Sequence, residues 1–437
     1  MSSPTALYAD LHRHTLSNGL RVVLCPRPAI PLVAVTVHYR VGFRSEPAER
    51  TGFAHLFEHL MFQGSECVAP GQHARAVQES GGVSNGSTHQ DYTEFHQIAP
   101  AEALDRILFL EADRMRAPLI TAEHLRTQID VVKEEIRLNI LDRPYGGFPW
   151  LRLPAALYRA AHNTHEGYGE FADLDRAGTE DCRSFFDAYY APGNAVLTVA
   201  GGFDPVHALD RVLHHFEHIP TRPCPAARSL DEPSPSRQRT VRYEDRHAPL
   251  PAVAVGYRLR GPGEDPAGYL AHLLVSHMLG DGPSARLPRR LAADAVAAES
   301  TRAGCGLFAP FDALTPDLLS VSTVHDPATP PEAVQRILEE ELAELAAEGP
   351  DPEELATART RTLTAIHRRT DDLLQLTKAL GAHEVLHGRA ELLHDIIRML
   401  GSITVAEVAS AASSLCTAPP AVLLLVPAGT SAGEPVR

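Results

Sequence analysis

The chain contains 437 residues, of which 44% are hydrophobic, and it carries a formal net charge of −15. This length exceeds what one ordinary hydrophobic core needs, so we expect two domains of roughly 200 residues each. The negative charge argues against nucleic acid or an anionic membrane surface as the main partner.

The sequence also predicts the cellular location of the protein. Residues 1–16 lack the apolar core of a signal peptide, and no apolar run reaches the roughly 18 residues that a membrane span requires. Six scattered cysteines form no CxxC pair, which is typical of free thiols in a reducing compartment. We therefore expect a cytoplasmic protein, and the strong preference for arginine over lysine indicates a bacterial source.

The first half of the chain predicts paired strands followed by helices. An Asn-Gly turn at 18–19 separates the first two strands, and alternating or continuous apolar runs define the other elements. Strands are predicted at 11–15, 20–25, 32–39, 91–98 and 195–201, and helices at 51–62, 71–80, 100–115, 121–141 and from 205 onward.

A stretch rich in proline, serine and charge at 222–240 predicts a linker between domains at 1–221 and 241–437. Beyond it the same order of elements recurs. They are a strand at 252–257, a helix at 269–279, a strand region ending near 323, a helix at 331–348 and a last strand at 421–426. Because the strands come in hairpin-like pairs before helices, we expect an α+β fold of two similar halves, each a mainly antiparallel sheet packed against helices.

The segment Gly52–Ser65, GFAHLFEHLMFQGS, contains the pattern from which chemistry is predicted. His55 and His59 are four residues apart, so a helix would place both imidazoles on one face, where they can chelate one zinc ion. Glu58 flanks that face without having to ligate, so it can take a proton from a water molecule at the metal. A helix with two solvent-exposed histidines gives the same pattern, so the sequence context has to decide.

A catalytic zinc ion requires a third protein ligand, and the fourth predicted helix offers two adjacent carboxylates. Glu134 and Glu135 differ by about 100° around a helix, so only one of them can face the metal. Gln128, one valine of the pair Val131-Val132, and Glu135 fall on one stripe of that helix. The stripe favours Glu135 as the ligand and leaves Glu134 directed toward solvent or a neighbour.

The inverted order His-x-x-Glu-His, with a glutamate near residue 135, resembles the M16 family of zinc peptidases. The resemblance extends over most of the chain, and its blocks are specific when taken together. They read VGFRSEPAERTGFAH, GGVSNGSTHQDYTEFHQIAP, ALDRILFLEADRM, FFDAYYAPGNAVLTVAGGFDP and LGDGPSARL. The length resembles that of the short subunits of this family, which assemble in pairs around a closed chamber, as in the mitochondrial processing peptidase.

The resemblance implies one Zn²⁺ per chain, bound by His55, His59 and Glu135, with Glu58 as the general base. It further implies that residues 83–88 form an edge strand on which an extended peptide pairs through backbone hydrogen bonds. The asparagine of this strand corresponds to a family residue near the scissile bond, and the glycine after it replaces the more common alanine. The residues expected to contact substrate are Val83, Ser84, Asn85, Gly86 and Ser87.

Two departures from the family pattern affect the prediction. Gln128 stands where the family usually has a glutamate two turns before the third ligand, and a glutamine can orient a ligand only by hydrogen bonding. In the C-terminal half, Ala292 and Glu299 stand where an arginine and a tyrosine often reach the substrate at the partner's zinc. The resemblance therefore implies a heterodimer, in which a zinc-less M16 homologue supplies the arginine and the tyrosine.

We therefore predict a zinc endopeptidase that cleaves short or unfolded peptides inside a chamber formed with that partner, without nucleic acid or membrane. Its substrates would be degradation products, imported peptides or the leader of a ribosomally made natural product. The alternative is a non-catalytic structural M16 subunit of a larger assembly. His89 and His96 flank the expected substrate strand, where they either contact peptide or only make the strand face polar.

Overall fold

The computed structural model describes residues 11–47, 49–226, 228–294, 296 and 298–429. Contacts within the chain divide it into two compact units, and each unit is assembled from three separate segments. The first unit consists of Met1–Lys133, Gly167–Ser229 and Ala365–Ile397, and the second of Glu134–Glu166, Leu230–Thr364 and Arg398–Arg437. The sequence-based expectation placed contiguous domains at 1–221 and 241–437, and the structure groups the residues differently.

The strands of the described residues form two sheets. They are β1 (His12–Thr15), β2 (Arg21–Pro26), β3 (Leu32–Tyr39), β4 (Val83–Thr88), β5 (Thr93–Pro100), β6 (Ala195–Gly201), β7 (Arg239–Asp245), β8 (Ala252–Leu259), β9 (Ala298–Cys305), β10 (Asp317–His325) and β11 (Ala421–Pro427). The first six strands belong to the first unit and the other five to the second.

Helices account for most of the remaining regular structure. They are α1 (Phe53–Leu60), α2 (Gln72–Glu79), α3 (Leu104–Arg116), α4 (Ala122–Ile136), α5 (Leu153–Leu157), α6 (Ala161–Thr164), α7 (Phe171–Asp175), α8 (Thr179–Tyr189), α9 (Pro205–Phe216), α10 (Pro266–Gly280), α11 (Arg286–Ala293), α12 (Pro331–Glu348), α13 (Pro352–Asp371), α14 (Leu373–His387), α15 (Leu392–Ser402) and α16 (Val405–Thr417).

The two sheets share one topology. The first has the order β1-β2-β6-β3-β5-β4, and the second has the order β7-β11-β8-β10-β9. Apart from β1, each sheet arranges its strands in the chain order first, fifth, second, fourth, third. In each sheet the first and fifth strands pair in parallel, and the other pairs are antiparallel. The predicted α+β fold of two similar halves is therefore confirmed.

The centre of the first sheet is buried on both faces. Strand β3 reads LVAVTVHY and β6 reads AVLTVAG, and nearly every residue of both is buried. Helix α14 covers one of these faces very closely. A Cβ atom built on Gly381 of this helix would overlap the ring of His38 on β3 and lie 3.0 Å from Thr198 Oγ1 on β6. This packing explains why a segment from the C-terminal part of the sequence belongs to the first unit.

Most predicted elements lie within two or three residues of the observed ones, and β3, β6 and α12 coincide with their predictions. The largest difference concerns the helix predicted at 121–141. Its α-helical part ends at Ile136, and Arg137–Leu141 continues as a π-helical turn. The described residues of the predicted linker contain no helix or strand before β7 begins at Arg239.

Among the residues that the structure describes, no single helix is both long and apolar enough to cross a membrane. The consecutive pair α15 and α16 reaches the required length and composition only together, and it is bent by 101°.

The close packing of α14 on the first sheet gives a test of this fold. We expect Gly381→Ala to lower the free energy of unfolding by about 1–3 kcal/mol, because the added methyl group overlaps the buried His38 ring. The matched control is Gly401→Ala, whose methyl group would meet no atom within 4 Å and should leave stability equal or raised by about 1 kcal/mol. Urea unfolding of both variants measures the difference, and equal stabilities would contradict the packing.

Candidate metal centre

Helix α1 carries the HLFEH motif, and a distant carboxylate caps its first turn. Glu46, which is 2% exposed, accepts hydrogen bonds from the backbone N–H groups of Gly52 at 2.9 Å and Ala54 at 2.7 Å. These N–H groups have no partner within a helix, so the carboxylate satisfies them as a capping side chain would. Its negative charge also suits the positive end of the helix dipole.

Further contacts hold the start of α1 against α7 and against the segment before it. Thr51 donates from its backbone N–H and from its hydroxyl to Asp173 Oδ2, at 3.1 and 2.6 Å. Gly52 has a φ of 84°, and a Cβ atom there would lie 2.5 Å from the carbonyl oxygen of Tyr168. Only glycine fits this close approach in this conformation. The hydrogen bonds of Thr51 and the close approach at Gly52 therefore fix where α1 begins.

The structure brings His55, His59 and Glu135 together. One possible ligand atom from each residue lies within 4.8 Å of those of the other two. The two imidazole rings are 4.9 Å apart and perpendicular, as the spacing of four residues on a helix allows. Glu135 lies in the last turn of α4, on the same continuous helix as Lys133, the residue at which the first segment of the first unit ends.

The neighbouring carboxylate is directed elsewhere. The side chain of Glu134 is 58% exposed and forms an ion pair with Arg137 at 3.1 Å. Along α4, Gln128 and Val132 are buried on the side of Glu135, and Val131 is exposed. The geometry thus selects Glu135 from the two carboxylates. The orienting role of Gln128 stays a prediction.

Glu58 lies against strand β4. Its Oε2 atom accepts a hydrogen bond from the hydroxyl of Thr88 at 2.7 Å. A Cβ atom built on Gly86 would lie 3.1 Å from Glu58 Cγ and 3.3 Å from Oε1, so the glycine leaves room for the carboxylate. Thr88 was not among the predicted site residues. The sequence could have indicated Thr88, because residues two apart on a strand share a face and Gly86 was already a predicted contact residue.

Strand β4 forms the outer edge of the first sheet. It pairs with β5 in antiparallel register, from Val83 opposite Ile98 to Thr88 opposite Thr93. In the described part of the sheet, no strand lies on its other side. The predicted substrate strand therefore has the position that β-augmentation by an extended peptide requires. Its five predicted contact residues are Val83, Ser84, Asn85, Gly86 and Ser87.

Tyr168 is a second residue that the sequence did not reveal. Its ring meets the ring of His55 at 5.1 Å between centroids, and the two rings are perpendicular. The glycines on both sides were the available signal, because they permit the close approach of this segment to α1. At Gly169, φ is 74°, and a Cβ atom would collide with the backbone of Thr51 and Gly52. The tyrosine thus helps to fix the orientation of a candidate ligand.

Two family models match most of the chain. Residues 21–140 match the family model described as "Insulinase (Peptidase family M16)", and residues 177–362 match the one described as "Peptidase M16 inactive domain". All four residues of the metal motif lie within the first match. The second match contains none of them.

Similar proteins carry names of the same kind. The zinc protease PqqE of Helicobacter pylori is 30% identical over 281 residues, which cover 63% of this chain and 62% of that protein. The chain thus spans less than two thirds of this relative. The zinc protease YmxG of Bacillus subtilis, whose function is uncharacterized, is 24% identical over 96% of this chain and 99% of that protein.

The fold also matches a solved structure. The crystal structure of a protease from Helicobacter pylori superposes with a TM-score of 0.86 at 24% sequence identity, over 96% of this chain and 99% of that one. At this identity the likeness establishes the fold alone. The two family matches extend over both units, and together they cover well over half of the sequence. The chain therefore belongs to peptidase family M16.

Proposed function

We propose that the chain is a zinc-dependent endopeptidase with Glu58 as its general base. The observation that carries this proposal is the cluster of His55, His59 and Glu135, with Glu58 held beside an exposed strand edge. The zinc protease names of the similar proteins support the choice of metal.

The donor set fits a catalytic zinc ion. Two imidazole nitrogens and one carboxylate oxygen are a known catalytic set, which leaves a fourth position open for water or substrate. When bound, zinc would supply Lewis acidity toward the scissile carbonyl and would lower the pKa of a coordinated water molecule. A closed structural site would use four protein ligands, and the described residues gather only three.

The protein residues around this set have separable roles. The unpaired edge of β4 would bind an extended peptide through its backbone, which gives affinity without demanding one sequence. Glu58 would take the proton of the attacking water and deliver it to the leaving amine. Thr88 would hold the Glu58 carboxylate toward the peptide through its hydrogen bond.

We further propose that a partner chain completes the site. Ala292 lies on α11 and Glu299 on β9, where related chains often carry arginine and tyrosine. Both line a cavity of about 650 Å³, together with Gly282, Pro283, Pro288, Leu291, Val296, Ala298, Ser300 and Thr301. Neither a methyl group nor a carboxylate can replace a guanidinium or a phenol as hydrogen-bond donor at an oxyanion. A zinc-less M16 homologue would supply these donors in a heterodimer whose chamber admits short or unfolded peptides, leader peptides included.

The second candidate is a structural subunit without catalysis. The description of residues 177–362 as an inactive domain suits this alternative, since that segment contains none of the motif residues. The complete cluster of three ligands and a base favours the enzyme, because a purely structural subunit would have no use for it.

The first test separates metal binding from catalysis. We expect Glu58→Gln to keep one zinc per chain and to lose at least about 10³-fold in kcat, because the amide cannot accept the proton. His55→Ala should lose the metal as well as the activity. The control is Glu134→Gln, next to the third ligand but exposed and paired with Arg137. Metal analysis and cleavage of a quenched fluorescent peptide give the readouts, and wild-type turnover by Glu58→Gln would contradict the mechanism.

A second test concerns the hydrogen bond to the base. Thr88→Val keeps the β-branched shape and removes the hydroxyl, so we expect kcat to fall roughly tenfold at constant zinc content. Thr360→Val is the matched control, because the hydroxyl of Thr360 bonds only within the exposed face of α13. Equal kcat for the two variants would show that Thr88 does not position Glu58.

The partner proposal can be tested in the isolated chain. The wild-type chain alone should cleave slowly, and Ala292→Arg combined with Glu299→Tyr should raise its kcat by about 10²-fold if copies can then complement one another. The control is Ala292→Leu combined with Glu299→Leu, which adds bulk but no donor. Full activity of the isolated wild-type chain, unchanged by the added donors, would contradict the heterodimer.

A further inference from the structure

A buried charged cluster lies beneath the substrate strand, on the sheet face opposite Glu58. Successive side chains of a strand point to opposite faces of the sheet. The side chain of Ser87 therefore points away from helix α1, toward which Gly86 and Thr88 are directed. Its hydroxyl donates to Glu94 Oε1 at 2.7 Å, and the two residues are direct cross-strand partners. The Glu94 side chain is fully buried. An ionised carboxylate at such a place requires compensation from other groups.

The compensation comes from helix α14 and from the same strand. Lys378 Nζ lies 2.6 Å from Glu94 Oε1, and His96 Nδ1 lies 3.0 and 3.1 Å from the two carboxylate oxygens. Burial alone would raise the pKa of Glu94, but the hydrogen bond and charge of His96 and the charge of Lys378 lower it well below its ordinary value. The carboxylate is therefore ionised and accepts three hydrogen bonds.

The cluster continues to the end of the strand. His89 Nε2 lies 3.0 Å from the Ser87 hydroxyl, and the His89 ring stacks on Tyr92 at 4.3 Å between centroids. Because the Ser87 hydroxyl donates to Glu94, its lone pairs are directed at His89, which then acts as a donor. A continuous path thus runs from Lys378 through Glu94 and Ser87 to the turn that follows β4.

The choice of lysine at this point is notable, since the chain contains only two lysines among its 40 basic residues. An ammonium group is a compact point charge, and the side chain of Lys378 is 20% exposed. In this position it reaches a single oxygen of the buried Glu94 carboxylate.

We propose that Lys378 is a positioning residue for peptide binding, which clamps β4 through Glu94 and Ser87 in the register that pairs with substrate. This inference rests on the proposed peptidase function, but the clamp itself is a property of the fold. Without it, the pairing with β5 alone would hold the strand, which would be less ordered until a peptide also pairs with it. The free energy of ordering would then be taken from binding, so KM rises and kcat stays nearly unchanged.

The experiment compares Lys378→Met with Arg336→Met, which removes an exposed ion pair to Glu340 on α12. Lys378→Met should raise KM for an extended peptide roughly tenfold, with kcat within about twofold and one zinc per chain. Hydrogen exchange of the backbone amides at 83–89 should accelerate about tenfold, while the amides of α1 keep their rates.

The double variant Glu94→Gln/Lys378→Met removes the buried charge but keeps an acceptor for Ser87. It should therefore restore most of the wild-type KM and most of the slow exchange at 83–89.

The two readouts separate this inference from the function on which it rests. If the wild-type chain cleaves no peptide, the proposed function fails, and exchange at 83–89 still decides whether Lys378 clamps the strand. Unchanged exchange and unchanged KM in Lys378→Met would overturn the clamp. Faster exchange throughout the first unit, with no recovery in the double variant, would overturn it too, because Lys378 would then serve global stability alone.

Discussion

The hydrogen bond between Thr88 and Glu58 joins the two parts on which the proposed peptidase activity depends. One part is helix α1, which carries two imidazoles and a carboxylate at fixed spacing. The other is the edge strand β4, whose outer side can receive an extended peptide. A base on the helix is useful only if the strand places the peptide at the correct distance. The Glu46 carboxylate fixes the start of α1, and the clamp proposed under Ser87 would fix β4.

The two sheets share a strand order but carry different side chains at their edges. Apart from β1, the strand that comes third along the chain lies at the edge of each sheet. These strands are β4 and β9, which therefore occupy equivalent positions. In the described residues, β4 has helix α1 with its HLFEH motif beside it, whereas β9 borders a cavity lined mostly by apolar side chains together with Glu299. Because the strand order is shared apart from β1, a few side chains at the edges distinguish the chemistry of the two halves. This separation is consistent with the proposal that a partner chain supplies an arginine and a tyrosine.

Local pattern was a good guide to the elements and a poor guide to their assembly. The apolar runs of β3 and β6 and the charged helix α12 were predicted with their observed bounds, because burial and periodicity are visible along the chain. Assignment of α14 to the first unit was not predictable, because a buried helix pattern does not state which sheet covers it. The π-helical turn after α4 was missed for a related reason, since its residues are compatible with either helix type.

The sequence by itself determined the strands and helices, the HxxEH motif and the family resemblance, because each depends on spacing between residues close in the chain. The tertiary structure places Glu135, which the helical stripe had favoured, beside the two histidines. It alone decided that Thr88 bonds to Glu58 and that Lys378 reaches Glu94. These contacts join residues far apart in sequence. Their partners are set by how helices and sheets pack, and no periodicity along the chain records that geometry.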